Sequence, residues 1–162
     1  MVRTTAESRI VRGKFAHELK AGDEYEPLEF IVTPDLNQQF LYAVEDYGPI
    51  YLEGRDGRPP LVHPVLLMHM SPRTRSPSYR QAPGMGSAFA RDRSWYSNPG
   101  YVGSRFRVTW TVTNTYEQRG KIYQDYVAVI ADQASRQILK RELSSTFFML
   151  GKVKTYALGS KA

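Results

Sequence analysis

Arg105-Phe106-Arg107-Val108-Thr109-Trp110-Thr111-Val112-Thr113 alternates large apolar residues with arginine and threonine. That period of two puts Phe106, Val108, Trp110 and Val112 on one face of a strand and the polar set on the other. Outward from it, a turn at Arg119-Gly120 leads to a second apolar run, Ile122 to Ile130, and residues Asp132 to Arg136 separate this from a third, Gln137 to Phe148. Three consecutive strands joined by short turns predict an antiparallel meander.

Upstream, Leu19-Lys20-Ala21-Gly22-Asp23 carries a turn signal and is followed by a short strand from Tyr25 to Val32. A helix follows: Thr33 caps it, Pro34 suits its first turn, and Leu36, Phe40 and Val44 form one apolar stripe, with the end near Asp46. Residues 46–60 are rich in glycine and proline and read as an irregular excursion. His63-Pro64 opens a second helix through Val65, Leu66, Leu67 and Met68, apolar all round and hence expected to be buried, and Pro72 ends it. Residues 72–88 read as a loop within a basic Pro/Gly-rich stretch, about 72–93, that holds Arg73, Arg75, Arg80, Arg91 and Arg93. Strand, helix, loop, buried helix and then consecutive strands give an α+β order, suited to a curved antiparallel sheet wrapped around one central helix.

At 162 residues the chain has the length of one domain, and no apolar run approaches the roughly 20 residues that cross a bilayer. The N-terminal residues Met1-Val2-Arg3-Thr4-Thr5-Ala6 lack an apolar stretch behind a basic cap, so the expected location is the cytoplasm. The absence of cysteine excludes disulfides, thiolate metal sites and a cysteine nucleophile. A formal charge of +6 favours an anionic partner: nucleic acid, an acidic carrier protein or the phosphates of coenzyme A. His63 and His69 are not spaced i, i+4 and have no carboxylate cluster beside them, so no metal site is expected, and His17 reads as a surface residue.

Leu19-Lys20-Ala21-Gly22-Asp23, Val32-Thr33-Pro34-Asp35 at a helix start and Asp46-Tyr47-Gly48-Pro49-Ile50-Tyr51 together resemble the N-terminal half of MaoC-like hot-dog domains. Asn98-Pro99-Gly100-Tyr101-Val102-Gly103 and Tyr116-Glu117-Gln118-Arg119-Gly120-Lys121 are similar to the second half, so the likeness spans about residues 15–148 of a single domain 1–162. The family's hydratase motif is D-x-N-P-x-H followed by a histidine-glycine pair at the central helix. The matching residues here are Asp46, Gly48, Pro49 and Tyr51, followed by His63-Pro64. The basic stretch at 72–93 is similar to an insertion in a subgroup resembling the N-terminal domain of fatty-acid-synthase dehydratases, often the less active half of a pair.

The resemblance implies a lyase that hydrates an enoyl thioester or dehydrates a 3-hydroxyacyl thioester, or acts likewise on a related small metabolite, with an aspartate and a histidine as general base and acid. It also implies a backbone N–H at the start of the central helix that holds the thioester oxygen. Asp46 fits the aspartate role. Tyrosine stands where the family has histidine; a phenol ionises at about 10 against about 6.5 for an imidazole, so Tyr51 suits donating a hydrogen bond better than acting as a base. Pro64 has no N–H, which leaves Val65 or a later amide as the oxyanion donor. His63 adjoins the helix start and is a candidate to replace the missing imidazole.

The expected catalytic set is therefore Asp46, Tyr51 and His63, with Gly48, Pro49, Pro64, Val65 and Trp95 around the substrate. Arg73, Arg75 and Arg80 are expected to grip the phosphates of coenzyme A or a carrier, because guanidinium groups bind phosphate bidentately. No cofactor is expected beyond the coenzyme A or acyl carrier of the substrate. Hot-dog domains pair edge to edge with the site at their junction, so a homodimer or a heterodimer with another hot-dog domain is expected. Two alternatives stand beside the enzyme: a non-catalytic acyl-binding subunit paired with a catalytic partner, and a nucleic-acid binder using arginines interleaved with Tyr79, Phe89, Trp95 and Tyr96.

Overall fold

A computed structural model of the chain describes residues 9–151. Its five strands are β1 (Glu24–Ile31), β2 (Met85–Tyr96), β3 (Arg105–Gln118), β4 (Lys121–Asp132) and β5 (Gln137–Met149). They form one antiparallel sheet in the order β1-β3-β4-β5-β2. The helices α1 (Pro34–Val44), α2 (Pro49–Leu52) and α3 (Pro64–Met70) all precede β2 in the chain. The α+β architecture expected from the sequence is present, and β3, β4 and β5 pair as the expected antiparallel meander, with a register shift in each ladder.

Alternation makes the core. Phe106, Val108, Trp110 and Val112 of β3 are buried, as are Tyr126, Ala128 and Ile130 of β4 and Leu139, Leu143 and Phe147 of β5. Leu66 and Leu67 of α3 complete this cluster. The Trp110 indole N–H donates to the Ser71 carbonyl at 2.6 Å, which ties the segment just beyond α3 to the middle of the sheet. Such a bond satisfies two groups that would otherwise be buried without partners.

Three expectations need correction. Residues 85–96, which overlap the loop read at 72–88 and the basic stretch read at about 72–93, form the edge strand β2 along β5. A register shift between Phe89 and Arg91 breaks its alternation, and most of its residues are exposed, so it lacks the periodicity that marks a half-buried strand. The segment before it is irregular, as read, but packs inward: Ser71, Arg73, Ser76 and Ser78 are buried. Ser76 Oγ donates to the Glu26 carbonyl at 2.7 Å, and Ser78 Oγ accepts from the Glu26 N–H at 2.8 Å. These bonds serve β1 where Pro27 lacks a donor and the pairing with β3 is irregular.

The stripe of α1 also differs. Asn37 and Leu41 are its buried residues, whereas Leu36 and Val44 are exposed. Phe40 packs partly buried against the core. Finally, α3 is not buried all round, for Val65 is 38% exposed. The helix lies against the sheet by the Leu66–Leu67 side, and Val65 and His69 face away from the core.

Candidate active site

The turn that ends α1 places Asp46. Glu45 takes a left-handed conformation (φ 55°), and its N–H and that of Asp46 return to the last carbonyls of α1, so the chain reverses at the helix end. The Asp46 carboxylate then accepts the Gly48 N–H on Oδ1 at 3.0 Å. A Cβ at position 48 would lie 3.3 Å from both Asp46 Oδ1 and Tyr51 Cδ2, so the glycine permits this close approach. The Gly48 carbonyl accepts the Tyr51 N–H at 2.9 Å, and Pro49 occupies the first turn of α2. Asp46, Gly48, Pro49 and Tyr51 thus form one compact turn.

His63 closes the arrangement as the N-cap of α3. Its Nδ1 accepts the Val65 N–H at 3.2 Å, and its Nε2 lies 3.1 Å from Asp46 Oδ2. Because Nδ1 acts as acceptor, the neutral imidazole carries its proton on Nε2 and donates it to Asp46. The pair therefore touches directly. The His63 side chain is 11% exposed and that of Asp46 43%, so the carboxylate faces solvent while the imidazole is held inside. The Tyr51 ring packs on His63 at 4.9 Å between centroids, and the Phe40 ring packs on it at 5.2 Å.

Asn37, which sequence reasoning passed over, fixes the tyrosine. It is 3% exposed, and its Nδ2 donates to the Tyr51 carbonyl at 3.0 Å. Its position on α1 would look solvent-facing from the apolar spacing, so no sequence signal marked it. The Tyr51 hydroxyl has no hydrogen bond among the described residues, and Tyr51 lines a cavity of about 520 Å³. Leu61, Val62, Pro64, Leu67, Tyr96 and residues 97–100 supply the other walls, which are mostly apolar. Tyr96 reaches this cavity because it faces inward at the end of β2, where its hydroxyl donates to the Pro64 carbonyl at 2.7 Å.

Several expected site residues lie elsewhere. Trp95 faces the opposite side of β2 from Tyr96 and packs against the Lys140 ammonium. Gly48 and Pro49 shape the turn without lining the cavity, and of the expected substrate contacts Pro64 alone lines it. Val65 offers no free N–H, since His63 takes it, and the next two amides, Leu66 and Leu67, donate to the His63 carbonyl. The helix-start oxyanion donor that the resemblance implied is therefore already engaged.

The arginines separate as well. Arg73 is 3% exposed and cannot reach a surface phosphate. Arg80 is exposed, but it donates to the Gly13 carbonyl and lies over the Phe15 ring, holding the N-terminal segment. Arg75 is exposed, donates to the His69 carbonyl at 2.6 Å and keeps access to solvent.

No family model matches the chain, and no curated protein matches it. Its fold, however, is widely shared among solved structures. A MaoC-like dehydratase from Rhodospirillum rubrum superposes with a TM-score of 0.70 at 16% identity, covering 86% of this chain and 99% of that one. The (R)-hydratase from A. caviae involved in PHA biosynthesis gives 0.64 at 20% identity, covering 84% and 100%. The HadBC (3R)-hydroxyacyl-ACP dehydratase complex from Mycobacterium tuberculosis gives 0.66 at 13% identity, covering 80% and 98%. The chain has the hot-dog fold of the MaoC-like dehydratases and (R)-hydratases.

Proposed function

We propose that the protein is a hydro-lyase that adds water across the double bond of an enoyl thioester, or removes it from the 3-hydroxyacyl thioester, at the Asp46–His63 pair. The observation that carries this reading is the direct contact of the pair, Nε2 to Oδ2 at 3.1 Å, beside a mostly apolar cavity on a hot-dog scaffold. Asp46 is the base. It takes a proton from water as the water oxygen bonds to the β-carbon, and the electrons of the double bond move toward the thioester oxygen. The proton held at Asp46 then returns to the α-carbon, which completes the addition of one water.

His63 holds the carboxylate in place through Nε2–H and disperses its charge. The free Tyr51 hydroxyl is the group best placed to donate to the thioester oxygen, a role that requires a donor and no loss of its proton. Tyrosine at the family's histidine position is then a change of role, and His63, packed on the Tyr51 ring, supplies the imidazole from the start of α3. No cofactor takes part beyond the coenzyme A or carrier of the substrate.

The test is hydration of short, medium and aromatic enoyl-CoA thioesters by the purified chain, followed by loss of the conjugated double bond. Turnover supports the reading, and Tyr51→Phe is expected to lower kcat by about 10- to 100-fold with little change in KM. An absence of turnover with every thioester, from protein that is folded and still binds acyl-CoA, would sink it in favour of an acyl-binding subunit. That second reading has some support in kind, since HadBC and ChsH1–ChsH2 are both described as complexes.

The edge of the sheet supports pairing with a second hot-dog domain. β2 is paired on one side only, with β5, and is exposed along most of its length, an open edge that proteins seldom leave bare. Ala88→Lys with Ala90→Lys, which sets like charges against each other across a two-fold axis, is expected to convert a dimer of the wild type into monomers. Sedimentation velocity reads the outcome, and an unchanged dimer would remove β2 as the pairing edge.

A further inference from the structure

A second charged group on the inner side of the sheet is used by nothing described above. Arg73 follows Pro72 and is 3% exposed. Its guanidinium lies 4.5 Å from the ring centre of Tyr126 and 4.9 Å from that of Phe147, yet its Nε and Nη1 are buried without a hydrogen-bond partner. Among the described residues no carboxylate forms an ion pair with it. Ring faces attract a cation but do not accept its in-plane N–H groups, so the rings offset only part of the cost of burying this charge. The neighbouring phenols cannot supply an anion: burial raises the pKa of both Tyr25 and Tyr126 above that of a free phenol, and both stay protonated at neutral pH. Arg141 on the same face shows the usual solution, a buried arginine bonded to an aspartate, Asp92.

The missing anion has a place to sit. Arg73 lines a cavity of about 190 Å³ together with Thr74, Ser87, Tyr126, Ser145 and Phe89. A neighbouring cavity of about 460 Å³ shares Thr74 and Phe89 with it and reaches Met68 and His69 of α3. The His69 ring in turn touches Phe40, which packs on His63. We infer that Arg73 is the anchor of a subsite for a small carboxylate, which supplies the charge the guanidinium lacks while the surrounding hydroxyls donate to its oxygens. A phosphate dianion would bring two charges against one cation in a smaller space, and the nucleotide of coenzyme A does not fit such a cavity. The carboxylate belongs either to the far end of an acyl group or to a separate small acid; the first source rests on the hydro-lyase reading, the subsite itself does not.

The experiment compares wild type with Arg73→Met, in which an apolar side chain fills the space of the cation. Glutarate is expected to raise the melting midpoint of the wild type by about 5–10 °C at a hundredfold excess over its Kd, and glutaramide to leave it unchanged. Arg73→Met is expected to be at least as stable as the ligand-free wild type and to give no response. An equal response in both proteins, or none in the wild type to acetate, glutarate or adipate, overturns the subsite. Should Arg73→Met fail to fold, Ser87→Phe fills the cavity from β2 with Arg73 retained: loss of the glutarate response supports the subsite and a retained response overturns it.

Kinetics then name the source. A preference of about 100-fold in kcat/KM for an enoyl-CoA ending in a carboxylate over its methyl ester, lost in Arg73→Met, assigns the carboxylate to the substrate. Equal rates with the glutarate response intact assign it to a separate acid. No turnover of either thioester with that response intact removes the hydro-lyase reading and leaves the subsite standing.

Discussion

Asp46→Asn is expected to lower kcat/KM for enoyl-thioester hydration by about 10²- to 10⁴-fold, or about 3–5 kcal/mol of transition-state stabilisation. The asparagine carbonyl can still accept the Gly48 N–H, so the turn and the position of Tyr51 survive. What fails is the chemistry. An amide does not take a proton from water, and its NH₂ turned toward His63 sets donor against donor across a contact of 3.1 Å. The imidazole must then carry its proton on Nδ1, which removes the acceptor of the Val65 N–H at the start of α3. Since the Asp46 side chain is 43% exposed, the loss of folding stability is small, about 1 kcal/mol. Steady-state rates with a thermal melt as control check this. A decrease of less than tenfold in a folded variant would show that Asp46 is only the structural end of its turn.

The residues of this pair were legible in the sequence, but their contact was not. Asp46 and His63 are 17 residues apart, and what joins them is the reversal at Glu45, a left-handed conformation that glycine usually supplies and that nothing in the spacing announces. β3 was legible because one rule, alternation, sets both its conformation and its burial. β2 was not, because its bulge shifts the phase of the pattern halfway and its exposed edge sets no apolar demand on alternate residues. Trp95 and Tyr96 show the consequence: without the strand, nothing says which ring faces the cavity. Arginine carries the same ambiguity. Arg73, Arg75 and Arg80 look alike in a basic stretch, and only packing separates a buried cation from a solvated one and from a clamp on the N-terminal segment.

Asp92→Ala is expected to destabilise the fold by about 3–5 kcal/mol, a large share of the 5–15 kcal/mol of a typical domain. Asp92 of β2 meets Arg141 of β5 through both carboxylate oxygens. The Arg141 Nη1 also donates to the Met68 carbonyl at 3.0 Å and to Ser71 Oγ at 2.6 Å, at the C-terminal end of α3, where a cation is favoured by the helix dipole. With the aspartate gone, Arg141, whose side chain is 7% exposed, keeps its neutral acceptors and loses the charge that compensated it. Because the Asp92 side chain is 32% exposed, water partly takes its place and the lower end of the range is expected. Urea unfolding checks the value. The double variant Asp92→Leu with Arg141→Met should recover most of the loss, because the penalty comes from one ion left without the other. Arg73→Met should carry the opposite sign, stabilising the empty protein or leaving it unchanged. Losing its anion destabilises the protein at Arg141, whereas losing the cation does not at Arg73, because the partner of Arg141 is encoded in the chain while the partner of Arg73 has to be bound.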